Sequence, residues 1–198
     1  MSISGTDAYA GLVGLPDLVV EAVDLARGLG FPSSCRPEQG RLLHALASGA
    51  SDSIGETGTG CGVGLAWMIS ARRPGTRVVS VERDERRVEE VSKLFAGIRD
   101  VEILCGDWTG IYEHGPFDLL VVDGGGNGKK TPPADPERLL RPTGTIVIDD
   151  FTPMTQWPPL IGGEPDSARL GWLEHPALLS SEVRLADDLS TIIGTRRP

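Results

Sequence analysis

The residues best suited to chemistry stand where apolar runs stop. In "TIVIDDF", Thr145 to Ile148 reads as a buried strand, and two aspartates, Asp149 and Asp150, follow it side by side. Carboxylates are rarely buried unless something pairs with them. A third acid, Asp123, closes another apolar run, "FDLLVVD", and the "GGGNGKK" after it ends in Lys129 and Lys130. Upstream, "GETGTGCGVG" links a short apolar run to a longer one. Glycines at such a junction let the backbone approach a ligand closely. The dinucleotide pattern G-x-G-x-x-G fails here, because its last glycine would fall on Val63 or Leu65. A phosphate-binding G-x-x-x-x-G-K-[ST] loop fails too. The one Gly-Lys pair, Gly128-Lys129, has Asp123 in the first glycine's place and Lys130 in that of Ser or Thr.

The elements that must hold these residues alternate. Helical spacing of apolar residues predicts a helix in "PDLVVEAVDLARGLG" and a second in "RPEQGRLLHALASG". Then come a strand over 53–57, a helix in "GLAWMISARR", a strand "RVVSVE", a helix "ERRVEEVSKLFAG" and a strand "VEILCG". The strand "FDLLVVD", a short helix "ADPERLL" and the strand "TIVID" complete the alternation. This predicts a doubly wound α/β fold, a mostly parallel sheet with helices on both faces. "SEVRLADDLSTIIGTRR" breaks the pattern. Two strands joined at Asp187-Asp188 predict a closing antiparallel hairpin, seven strands in all. The proline-rich stretch before it is expected to form a loop, then a helix near 167–174. Its Met154, Trp157 and Leu160 could wall a pocket or lie on an ordinary surface loop.

The 198 residues are read as one domain. Helices occupy 1–50, the core 51–151, a substrate loop and helix 152–180, and the hairpin 181–198. A net charge of −9 with only paired basic residues argues against nucleic acid. No apolar run approaches the ~18 residues of a membrane span, and no signal peptide is evident. Three scattered cysteines, without zinc spacing, fit reduced thiols in a cytoplasmic protein.

The pattern Glu56-x-Gly58-x-Gly60-x-Gly62 resembles the first motif of class I S-adenosylmethionine-dependent methyltransferases, whose fold is Rossmann-like. The resemblance implies that Glu82, ending "VVSVE", holds the ribose hydroxyls, and that Asp107 and Trp108 in "CGDW" meet the adenine. "RPEQGRLLHAL", "FDLLVVDG" and "LLRPTGTIVIDDF" narrow the likeness to the catechol-type O-methyltransferases, a divalent-metal-dependent branch. It runs roughly from Pro37 to Phe151. It implies that Asp123, Asp149 and Asp150 bind Mg²⁺ or another divalent cation, with Asp150 replacing the family's asparagine. Physically, three carboxylates converging from adjacent strands would repel without a cation, and hard cations take oxygen ligands.

One departure stands out. The family's lysine, a general base three residues after the first metal aspartate, is Gly126 here. Lys129 or Lys130 would have to fold back, or the metal alone would acidify the acceptor. The expected function is methyl transfer to a hydroxyl of a small molecule, phenolic or catechol-like, with Lys129 and Asp123 catalytic. A homodimer is suggested only by the family. A nicotinamide oxidoreductase and a non-catalytic binding protein are the competing classes.

Overall fold

The computed structural model describes residues 4–123, 129 and 133–198. Lys130 and Gly126 lie outside the described residues. Helices α1 (Asp17–Gly28) and α2 (Pro37–Gly49) precede the sheet. The alternating region comprises β1 (Ser53–Thr57), α3 (Val63–Ala71), β2 (Arg77–Glu82), α4 (Glu85–Phe95), β3 (Val101–Cys105), β4 (Phe117–Val122), α5 (Pro136–Leu139) and β5 (Leu140–Phe151). A small hairpin, β6 (Leu160–Ile161) and β7 (Glu164–Pro165), leads to α6 (Ser167–Leu173). The chain closes on β8 (Leu178–Ala186) and β9 (Leu189–Arg196).

The seven-stranded sheet has the order β3-β2-β1-β4-β5-β9-β8. β1 to β5 pair in parallel, and β9 and β8 are antiparallel, as the sequence pattern predicts. Strand residues alternate between two cores. On β4, Leu119 and Val121 face one and Leu120 and Val122 the other; on β5, Val147 is set against Ile146 and Ile148. Burial on both faces explains why these strands read as continuous apolar runs.

The helix α3 is apolar nearly all round, and buried, because α1 and α2 cover the side that would otherwise meet solvent. The α4 helix is instead amphipathic, and Asp84 caps it by accepting from Arg87 N at 3.0 Å. From β3 the chain crosses back to place β4 on the other side of β1. That reversal opens a crevice at the carboxyl ends of β1 and β4, the usual place for a ligand in an open parallel sheet.

Candidate functional site

Three glycines shape the loop between β1 and α3. Gly58, Gly60 and Gly62 all have left-handed φ, of 88°, 56° and 81°. An L-residue is strained in that region. A side chain at Gly62 would also press on Phe95, 2.8 Å from its ring. The loop's N–H groups are tied down within the fold: Gly58 N and Thr59 N donate to the Val81 carbonyl at 2.8 and 3.3 Å, and Gly62 N to the Thr59 carbonyl at 2.8 Å.

Two acids flank the loop. Glu82, the last residue of β2, is buried, and its Oε2 accepts from Gly60 N at 2.8 Å. Its Oε1 accepts from Asp84 N at 3.0 Å and from the Arg87 guanidinium at 2.8 Å. Glu56, 2% exposed, lies beneath the loop and accepts from Ser80 Oγ at 2.5 Å. Burial pushes the Glu56 carboxyl up to about 8; the Ser80 bond opposes this, while the charges of Asp123, Asp149 and Glu82 add to it. Asp107 is exposed and caps the turn after β3, accepting from Thr109 N at 3.0 Å and Thr109 Oγ1 at 2.7 Å. Those bonds hold its carboxyl below the ordinary range. Trp108 is half-buried beside Tyr112, with ring centroids 5.9 Å apart.

A second group of acids stands across the crevice. The register pairs Val122 with Ile148, so the next residues, Asp123 and Asp149, leave neighbouring strands side by side. Both are buried, and the two carboxylates are within hydrogen-bonding reach of one another. Lys129 returns to this pair. It is only 8% exposed, and its Nζ donates to Asp149 Oδ1 and, at 3.0 Å, to the Asp149 carbonyl. Burial alone would lower the Lys129 ammonium and raise the Asp149 carboxyl. Their mutual attraction outweighs it, so Lys129 is raised and Asp149 lowered. Lys129 thus folds back onto the aspartates, as a lysine in its displaced position has to.

Asp150 comes next on the strand. A bulge between Ile148 and Phe151 gives it a φ of 66°, and its side chain is exposed. Among the described residues no group of three or more His, Cys, Asp or Glu side chains is arranged to hold a metal ion. Of the expected trio, Asp123 and Asp149 leave neighbouring strands side by side, and Asp150 follows Asp149 on the bulge. The oxygen chemistry of these side chains suits a hard cation such as Mg²⁺, and the Lys129 ammonium bonds Asp149.

The sequence reading missed two residues behind the site. Trp172 is fully buried on α6, and its indole Nε1 donates to the Lys129 carbonyl at 2.9 Å. Arg169 bonds Asp166 at 3.2 Å, Glu182 at 3.0 Å and the Thr152 carbonyl at 2.9 Å, with its guanidinium over Phe151. The only sequence signal for either was membership of the short helix. Met154, Trp157 and Leu160 lie on the surface, Trp157 being 61% exposed, so they wall no closed pocket.

With this geometry in place, known proteins can be set beside the chain. Residues 56–151 match the methyltransferase-domain family. That methyltransferase-domain match begins on Glu56 and ends one residue past Asp150. A Mycobacterium sp. (strain JLS) protein named "Putative O-methyltransferase" is 29% identical over 140 residues. The alignment covers 64% of this chain and 59% of that one, so the chain spans under two thirds of the relative's length. The Bacillus cereus O-methyltransferase in complex with SAH superposes with a TM-score of 0.76 at 19% identity, over 98% of this chain and 96% of that one. TomG from Streptomyces achromogenes, an O-methyltransferase involved in tomaymycin synthesis and solved with SAM, gives 0.73 at 21% identity, over 97% and 95%. The fold is that of the class I methyltransferases.

Proposed function

We propose that this protein is an S-adenosylmethionine-dependent O-methyltransferase acting on a hydroxyl of a small molecule, phenolic or catechol-like. The observation that carries the reading is the loop of Gly58, Gly60 and Gly62, with the Glu82 carboxylate on its Gly60 N–H at the sheet's switch point. An anionic crevice also suits a cationic cofactor. Glu56 and Asp123 line it, and the charges of Asp123 and Asp149 raise the Glu56 carboxyl. When bound, S-adenosylmethionine supplies a methyl group on a sulfonium, which an acceptor oxygen takes as the C–S bond breaks toward sulfur.

The chain's own residues do the rest. Gly58, Gly60 and Gly62 with Glu56 bear the amino-acid end of the cofactor, Glu82 the ribose, and Asp107 with Trp108 the adenine. Lys129, an ammonium bound to Asp149, orients the acceptor oxygen rather than serving as its base. Asp123 receives the hydroxyl proton. Holding the acceptor in line can contribute ~7–11 kcal/mol to the rate. These steps use only the chain's own residues.

Calorimetry tests the cofactor half. S-adenosylhomocysteine should bind at micromolar concentration while NAD(H) should not; the reverse result would favour an oxidoreductase. Mass spectrometry of products from a phenol and catechol panel tests the acceptor half. Cofactor binding with no methylated product across a broad hydroxylated panel would favour a non-catalytic binding protein.

A further inference from the structure

We propose that residues 4–9 form a strap across the two walls of the cofactor crevice, and that Tyr9 is the positioning residue that keeps those walls together. The crevice has Phe31, Ser34 and Cys35 on one wall and Glu56, Gly60 and Gly64 on the other. The walls nearly touch, since a side chain at Gly64 would begin 3.7 Å from Cys35 Cβ. A molecule the size of S-adenosylmethionine enters only if they separate. The first wall is the stretch between α1 and α2, and the strap is the stretch before α1. Folding brings these two flanks of α1 together, with Thr6 N on the Pro32 carbonyl at 3.0 Å.

Two buried hydroxyls on the strap have different tasks. Thr6 Oγ1 donates to the Phe31 carbonyl at 2.6 Å and lies 2.7 Å from Ser34 Oγ. All the partners of Thr6 belong to one wall, so it fastens the strap there. Tyr9 spans both walls. Its phenol donates to the Cys35 carbonyl at 2.8 Å and accepts from Trp67 Nε1 at 2.9 Å. Trp67 lies on α3, the helix that the glycine loop opens and that bears Gly64. Tyr9 and Trp67 are both buried, and a buried polar group left unpaired is costly. Parting the walls breaks one of the two bonds, so the Tyr9 hydroxyl is a catch that acts through Cys35 and Trp67. The inference rests on the proposed function only for what enters the crevice; the catch itself does not depend on it.

Hydrogen exchange on the whole chain, without ligand, tests the catch. Tyr9→Phe keeps the ring and removes both bonds, so exchange across 31–36 should quicken about three- to tenfold, the effect of a net hydrogen bond, while β4 keeps its wild-type rate. Release of bound S-adenosylhomocysteine, chased with excess unlabelled ligand, should quicken by a similar factor. In the wild type, residues 6–9 and 31–36 should open with the same free energy along a urea series, because one event frees both. A folded Tyr9→Phe protein that melts lower yet keeps the wild-type rate in either measurement would overturn the proposal, leaving Tyr9 a merely structural part. So would a wild type in which 6–9 opens freely while 31–36 stays protected, and that comparison decides alone if the variant does not fold. Failure of the wild type to bind S-adenosylhomocysteine would instead sink the proposed function and leave the exchange rates to judge the strap.

Discussion

At the scale of single residues, burial makes Glu56 a weak acid. Its carboxyl moves from an ordinary 4.5 to about 8. The neutral form is therefore favoured by folding. The stabilising contribution is complete below the unfolded value and is lost as pH rises through about 8. Glu56→Gln stays neutral, so its melting temperature should fall less than that of wild type between pH 6 and 9. Between pH 6 and 9 wild type should lose on the order of a few kcal/mol more unfolding free energy than the variant. A cationic cofactor favours the carboxylate, so binding should release a proton. Calorimetry in two buffers of different ionisation enthalpy should register that proton in wild type and miss it in Glu56→Gln. Glu82 makes a simpler prediction. Glu82→Ala removes charge-assisted hydrogen bonds of ~1.5–3 kcal/mol each, so S-adenosylhomocysteine affinity should drop at least tenfold in a protein that remains folded. Unchanged affinity would remove Glu82 from the ribose.

At the scale of elements, α6 is a brace for the site. Arg169 sits between Asp166 and Glu182 and grips the Thr152 carbonyl just beyond Asp149 and Asp150. Arg169→Ala would leave two poorly solvated carboxylates facing each other, which costs about 3–5 kcal/mol when such pairs are buried. Urea denaturation should show a loss of that order, and kcat should fall more than KM for cofactor rises, because the glycine loop lies elsewhere. A wild-type urea midpoint would refute the brace. This brace marks where sequence reading ran out. The strands were legible because both faces are buried and the apolar runs are unbroken. The place of Asp123 beside Asp149 followed from strand order. The return of Lys129 depends on Trp172, 43 residues later, and the left-handed backbone of Asp150 on a bulge that no local pattern signals. The β6–β7 hairpin at Gly162-Gly163 was also unread, being two residues per strand and exposed.

At the scale of the whole molecule, sequence and structure agree on one α/β layer arrangement with an antiparallel finish. The crevice beside the glycine loop, however, is only about 10 Å³, room for little more than one water. Phe31 stands over the loop, 3.1 Å from where a side chain on Gly60 would begin. The Arg87 guanidinium lies 5.3 Å from the Phe31 ring centroid while it bonds Glu82. A ribose that takes Glu82 must displace Arg87, and so must loosen Phe31. Entry is thus a gated event whose tempo the protein sets. In stopped-flow mixing, the observed association rate should level off at high cofactor concentration instead of climbing linearly. Arg87→Ala should lift that plateau, leaving a door that opens sooner onto the same seat.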